Sequence, residues 1–234
     1  MGKKLKITII IIIIAVIGLG IYLSDYYHAE DTAVAYLNGS DNVSVVKTSN
    51  GLLLDGNGND TALIFYPGAK VEYTSYLPMF SKLASRGVDC YIVEMPFNIA
   101  FFGKDSADTI IKNSSYEHYF ISGHSLGGVM ASDYVNHSNT IDGLILFAAY
   151  PTESVNVPTL SIYGSNDTVL NMEKYNESKS LFASNFTEFI INGGNHEQFG
   201  YYGHQSGDGQ ANISAESQQE ACIDEIIKFI NQYT

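Results

Sequence analysis

The chain has 234 residues, 45% of them hydrophobic and 16% charged, which suits one globular domain with room for an appendage and argues against a disordered chain. Its net charge is -13, and Lys3, Lys4 and Lys6 precede every one of the 25 acids, so the body of the chain is strongly acidic. Such a surface repels phosphate backbones and disfavours anionic lipid, which argues against nucleic acid as a partner.

From the N-terminus, the lysine cluster leads into an almost unbroken apolar run over residues 7–23. Its length exceeds a usual signal-peptide core and reaches the short end of a membrane-spanning helix. No small-x-small site follows closely; Ala33-Val34-Ala35 fits the pattern but lies beyond Asp25, Glu30 and Asp31. The reading is an uncleaved signal anchor over 1–23, with a cleaved signal as the alternative. Lysines before the span keep its N-terminus inside, so the rest lies outside the cytoplasm on a single-pass cell-membrane anchor. Residues 24–42, polar with scattered aromatics, read as a juxtamembrane stalk. Asn-x-Ser/Thr sequons occur at several sites, Asn166 among them, and a glycan there would obstruct the site described below. That favours a bacterial exterior.

The main domain is expected over 43–234. Short strands over 43–47 and 52–55 form a hairpin, a turn covers 55–60, and 62–66 is a buried strand. Helices and strands then alternate. Helices are expected over 73–86, 105–112, 126–136, 172–182 and 214–233. Strands are expected over 88–95, 119–122, 144–148, 159–163 and 188–191. Continuously apolar strands alternating with helices predict an α/β fold: a mostly parallel sheet of seven or eight strands, covered on both faces. Such sheets carry their chemistry at the carboxyl ends of the strands.

The strand 119–122 runs into Gly123-His124-Ser125-Leu126-Gly127-Gly128, and then a helix begins. This is G-x-S-x-G in a strand–turn–helix context, where a sharp turn exposes a nucleophilic serine and glycines prevent collisions. A serine hydroxyl needs a base, and the base needs an acid to orient it. Asp167 follows the strand 159–163 and His196 follows the strand 188–191, in the order such a site requires. A turn aspartate is the plain alternative for Asp167, and His204, eight residues beyond His196, is the alternative base. An oxyanion hole needs two donors. The first is the Leu126 N–H. The second comes from Pro67-Gly68-Ala69-Lys70, with the Ala69 N–H first and that of Lys70 second. Lys70 is also a candidate partner of Glu94. Phe101, Phe102, Tyr201 and Tyr202 lie in loops expected to border the site, and with Lys70 are candidate substrate-binding residues or plain core and surface side chains. No metal site is expected, since His196-Glu197-Gln198-Phe199 is not H-E-x-x-H. No cofactor is expected either. Cys90 and Cys222 match no zinc or redox spacing and read as buried thiols, with their pairing left open.

These residues resemble the α/β-hydrolase superfamily. Tyr66-Pro67-Gly68-Ala69-Lys70-Val71, Met95-Pro96-Phe97-Asn98, the serine turn, Ile162-Tyr163-Gly164-Ser165-Asn166-Asp167 and Gly193-Gly194-Asn195-His196-Glu197-Gln198-Phe199-Gly200 are together similar to the bacterial fold-5 group, which is related to dienelactone hydrolases and often membrane-anchored or exported. The resemblance implies an α/β-hydrolase fold with Ser125, Asp167 and His196 as a triad. It departs in having Pro67-Gly68 where lipases carry His-Gly, and a serine where dienelactone hydrolases carry cysteine. The connection between strands 144–148 and 159–163 is too short for a lid domain. The function expected is a serine hydrolase acting on small-molecule carboxylic esters or thioesters. An acyltransferase or peptidase using the same triad, and a non-catalytic binding module, are the alternatives.

Overall fold

The apolar runs pair into one eight-stranded sheet in the computed structural model, which describes residues 2–40, 42–58 and 60–234, the side chains of Lys3 and Ile21 excepted. The strands are β1 (Ser44–Thr48), β2 (Gly51–Asp55), β3 (Thr61–Tyr66), β4 (Asp89–Val93), β5 (His118–His124), β6 (Gly143–Phe147), β7 (Thr159–Gly164) and β8 (Phe186–Ile191). The helices are α1 (Lys3–Ser24), α2 (Asp31–Val34), α3 (Leu77–Ala84), α4 (Ser106–Asn113), α5 (Leu126–Val135), α6 (Met172–Ser178) and α7 (Ala215–Tyr233). The turn expected over 55–60 includes Asn59, and the stalk expected over 24–42 includes Asp41; both residues lie outside the described ones.

The strand order is β1-β2-β4-β3-β5-β6-β7-β8. The β1–β2 hairpin is antiparallel and joins β4 antiparallel, while β4, β3, β5, β6, β7 and β8 run parallel. After β3 the chain passes through α3 to β4 on one side, then through α4 to β5 on the other side of β3. This reversal opens a crevice at the carboxyl ends of β3 and β5, where doubly wound sheets hold their ligands.

β3 shows why these runs form central strands. All six of its residues are buried, and its side chains alternate between two cores. Leu63 and Phe65 join Leu77 and Phe80 of α3 and Ile223 and Phe229 of α7. Ala62, Ile64 and Tyr66 join Ala107 of α4 and Ala131 and Tyr134 of α5. The helix expected over 73–86 opens instead as a 3-10 turn, Tyr73–Tyr76, with α3 proper starting where Pro78 fits the first turn. Likewise the pattern over 172–182 divides into α6 and a 3-10 turn, Lys179–Leu181. Cys90 and Cys222 are both free and buried. Burial raises both thiols, and the Cys90 Sγ–H donates to the Val88 carbonyl.

The segment expected to be a stalk lies on the domain as a strap. The Tyr27 N–H donates to Lys70 O (2.7 Å), Glu72 N–H to Tyr27 O (2.9 Å) and Glu30 N–H to Tyr201 O (2.9 Å), and Ala33 of α2 is fully buried. Main-chain pairing and a single small apolar residue leave almost no hydropathy pattern, so the sequence reads this stretch as a spacer. Of α1, residues 7–20 stand clear of the domain, apolar and exposed, and its last turn meets Lys70 through Tyr22.

Ala33→Asp places an unpaired carboxylate in that contact, at a cost of several kcal/mol against strap docking. Chymotrypsin should then cleave at Tyr36 and Leu37 at least about tenfold faster than in the parent, as followed by mass spectrometry.

Candidate active site

Ser125 sits between β5 and α5 with φ 51° and ψ −122°, a backbone conformation non-glycine residues seldom adopt. Holding it costs about 1–3 kcal/mol, so the surroundings must over-determine it. They do so through hydrogen bonds and through glycine. The Ser125 N–H donates to Phe147 O at the end of β6 (2.9 Å), and Ser125 O accepts from Gly128 N–H (3.0 Å). A Cβ on Gly123 would overlap the backbone of Gly127, and one on Gly127 would overlap the carbonyls of Tyr66 and Pro67. The turn can therefore close only against bare glycine backbone.

His196 and Asp167 meet behind this turn. The imidazole Nδ1 lies 2.8 Å from Asp167 Oδ2, with both side chains only 1% exposed. The other carboxylate oxygen, Oδ1, accepts from the N–H groups of Val169 and Leu170 (2.8 Å each). Both Asp167 oxygens are thus engaged, which fixes the carboxylate plane and the imidazole bound to it. The opposite ring nitrogen, His196 Nε2, is buried and has no hydrogen-bond partner among the described residues.

Ser125, Leu126 and His196 border one cavity of about 230 Å³, walled by Val129, Ala148 and Leu170 among others. In the loop that follows β3, the Gly68 N–H donates to the Tyr76 hydroxyl (3.2 Å) and the Lys70 N–H to Asn98 O (2.7 Å). That leaves the Ala69 N–H, in the same loop, without an acceptor among the described residues. The Leu126 N–H opens α5 and has no acceptor within the helix. Among the described residues, no group of three His, Cys, Asp or Glu side chains could hold a metal ion.

A strained serine turn after a parallel strand, a buried His–Asp pair and a cavity that Ser125 and His196 share point to one large family. A model of the alpha/beta hydrolase family matches residues 62–220. The chain belongs to the alpha/beta hydrolase family. Among solved structures, the dienelactone hydrolase of Anabaena variabilis is similar at 14% identity and TM-score 0.61, over 82% of this chain and 97% of that one. A ferulic acid esterase of Streptomyces cinnamoneus matches at 14% identity and TM-score 0.60, over 76% of this chain and 68% of that one. Mouse alpha/beta hydrolase domain-containing protein 10 matches at 12% identity and TM-score 0.60, over 82% and 99%. At such identities the likeness is one of fold. A search of curated protein sequences finds no match.

The other candidate residues of this hydrolase lie away from the Ser125 cavity. His204 is exposed and pairs with Glu197 (3.0 Å) beside a separate depression that Tyr201 also borders. Tyr202 is buried against Tyr27 and Tyr76. Phe101 and Phe102 are 62% and 56% exposed. Lys70 does not pair with Glu94: its Nζ reaches Asp25 Oδ2 (3.0 Å) and lies over the Tyr22 ring, while Glu94 faces Tyr73. The strap supplies a nearer carboxylate, one that a free stalk would not have offered.

Three features have no signal in the local sequence. The cavity walls Ala148, Ala149 and Tyr150 follow β6, and only the strand-end rule points to them. His124 is buried beneath His196, ring centroids 4.5 Å apart, with Nδ1 2.9 Å from the Tyr76 hydroxyl. That hydroxyl also accepts from the Gly68 N–H (3.2 Å), so it joins the His124 ring to the loop after β3. Burial, reinforced by the neighbouring His196, holds His124 well below the usual histidine range against a smaller opposing contribution from the His196 backbone, so it stays neutral beside that ring. Finally, Gln218 of α7 clamps the histidine loop. Its Oε1 accepts from Asn195 N–H (3.0 Å) and its Nε2 donates to Asn195 O (2.8 Å).

Gln218→Ala leaves both buried main-chain groups of Asn195 unpaired, which should destabilise the domain by about 1–3 kcal/mol in a urea melt. An unchanged midpoint would mean that water replaces the side chain at no cost.

Proposed function

We propose that this protein is a serine hydrolase cleaving carboxylic ester or thioester bonds, with Ser125 as nucleophile, His196 as general base and Asp167 orienting it. The observation that carries the reading is the buried 2.8 Å pairing of His196 Nδ1 with Asp167, which leaves Nε2 uncommitted next to the cavity that Ser125 borders. The carboxylate holds the proton on Nδ1 and stabilises the imidazolium that forms when Nε2 takes a proton.

In the proposed reaction the Ser125 Oγ attacks the ester carbonyl carbon as Nε2 removes the hydroxyl proton. The carbonyl oxygen becomes an oxyanion, held by the N–H groups of Leu126 and Ala69. The occupied Gly68 and Lys70 N–H groups favour Ala69 over its neighbours for that part. Collapse breaks the bond to the leaving oxygen or sulfur, which takes its proton from His196. Water then attacks the acyl-enzyme with Nε2 again as base, releasing the acid and restoring Ser125. Each oxyanion donor is worth about 10²–10³ in turnover. The cavity walls Val129, Ala148 and Leu170 suit a small apolar acyl or alcohol group. Only eleven residues join β6 to β7, and no lid rises between them, so the cavity is reached from solvent on that side.

The same reading places the enzyme on a membrane. The helical stretch Lys4–Ser24 is 21 residues long and apolar enough to span a bilayer. At the usual helical rise it covers about 32 Å, close to the hydrocarbon thickness. With Lys3, Lys4 and Lys6 retained inside, the hydrolase domain sits outside the cytoplasm on a single anchor.

Ser125→Ala should lower turnover of p-nitrophenyl esters by at least about 10⁴-fold with an unchanged melting temperature, and His196→Ala should come close to it. His204→Ala should stay within a few-fold of the parent. Turnover of Ser125→Ala within tenfold of the parent would remove the reading. For topology, a membrane-impermeant fluorophosphonate should label Ser125 on intact cells; labelling that appears only after lysis would put the domain on the other side.

A further inference from the structure

Outside α1, the most exposed large apolar side chains among the described residues lie together. Phe97, Phe101 and Phe102 are 57%, 62% and 56% exposed, whereas Val34, Leu37, Val46 and Ile190 are less exposed aliphatics scattered elsewhere. The three rings touch edge to face, Phe97 to Phe102 at 5.8 Å and Phe101 to Phe102 at 5.6 Å between centroids. Phe97 and Asn98 hold φ near 57° and 55°, so the loop keeps a left-handed turn while leaving the Phe97 ring in solvent. Folding alone gives no reason for this. A contiguous exposed aromatic patch marks a partner surface.

Two observations say which partner. The first is position along the sheet. The patch follows β4, the Ala69 loop follows β3 and Ser125 follows β5, and these strands are parallel, so all three lie at one edge. The patch loop is tied to the Ala69 loop by the Lys70 N–H to Asn98 O bond and packs on α5, the helix that starts after Ser125. The second is where α1 ends. Asp25, one residue past α1, pairs with Lys70 (3.0 Å), and the Tyr22 ring lies under the same ammonium at 4.4 Å. The C-terminal end of the membrane-spanning stretch therefore meets the domain at that same edge, beside the loop that holds the patch.

We infer that the Phe97–Phe101–Phe102 loop docks on the surface of the bilayer that α1 spans, and that Ser125 consequently acts on acyl esters held in that bilayer. Aromatic rings favour the headgroup level, and the acidic surface suits a zwitterionic membrane better than an anionic one. The inference rests on the anchor and serine-hydrolase readings above, and its two arms separate the three.

The chain contains no tryptophan, so a single one reports its own surroundings. Full-length Phe101→Trp would be reconstituted into phosphatidylcholine vesicles carrying brominated acyl chains. Thr140→Trp, exposed in the loop before β6 at the opposite end of the sheet, is the reference. Bromolipid should quench Phe101→Trp at least twofold more strongly than Thr140→Trp. Equal quenching of the two would overturn the docking, and so would failure of the full chain to float with the vesicles, which would remove the anchor as well. In the second arm, Phe97→Ser/Phe101→Ser/Phe102→Ser should lower the ratio of vesicle-borne long-chain ester turnover to soluble p-nitrophenyl acetate turnover about tenfold. An unchanged ratio would overturn the substrate assignment. Strong quenching of Phe101→Trp in an enzyme that hydrolyses neither ester would support the docking and remove the serine-hydrolase reading.

Discussion

The contact between Gly127 and the carbonyls of Tyr66 and Pro67 sets the spacing on which the site depends. No side chain fits there, so the start of α5 can press against the end of β3. That approach brings the start of the loop after β3, at Tyr66 and Pro67, against the first turn of α5. Gly123, in turn, abuts the backbone of Gly127 and lets β5 reverse sharply into the helix. The positive φ of Ser125 follows from the sharpness of that reversal, and the bond from its N–H to Phe147 O ties the strained residue to the neighbouring strand. A bulkier residue at either glycine would push the serine turn and the Ala69 loop apart, and the two candidate oxyanion donors with them.

Asp167 and His196 are fixed differently, through hydrogen bonds between loops. Ser165 N–H donates to Ile191 O and Asn166 N–H to Gly194 O, which staples the Asp167 loop to the His196 loop. Gln218 holds Asn195 from α7, and the Asn195 side-chain NH₂ group donates to Gly209 O. His196 is therefore positioned by elements far apart in the chain. Proton transfer is sensitive to such positioning, since an error of about 1 Å can cost roughly a hundredfold. Beneath it, the neutral His124 ring packs on His196 and is joined through the Tyr76 hydroxyl to Gly68 of the Ala69 loop.

The strap changes how the domain relates to its N-terminal helix. A free stalk would leave the domain unattached to the end of α1. Here Tyr27 pairs on both sides with the chain at Lys70 and Glu72, and Glu30 with Tyr201. The order of elements then restricts which edge of the sheet the helix leaves from. Because the strands that carry the candidate site are parallel, their carboxyl ends share that edge, and the C-terminal end of α1 meets the domain there through Asp25 and Lys70.

Much of this was legible in the amino-acid order, for local reasons. Continuously apolar strands alternating with helical periodicity specify a buried parallel sheet, and all eight strands fall within two residues of the runs that predict them. Gly123-His124-Ser125-Leu126-Gly127 is readable because the steric demand at a sharp turn acts between near neighbours. Asp167 and His196 are readable because each follows its strand directly. The strap, the Gln218 clamp, the His124–Tyr76 link and the Lys70–Asp25 pair were not. Each joins residues far apart in sequence through a few hydrogen bonds, and such bonds impose no periodicity on either partner. The 25–40 segment illustrates the limit: its polar and aromatic residues look like a spacer until the domain offers main-chain partners at Lys70, Glu72 and Tyr201. Sequence by itself determined the sheet, the serine turn and the placing of Asp167 and His196 just after their strands, because apolar burial and backbone sterics are properties of short stretches. Tertiary structure alone decided which loops wall the cavity, what holds the histidine and where the N-terminal segment lies, because those depend on pairwise distances that exist only once the chain has folded.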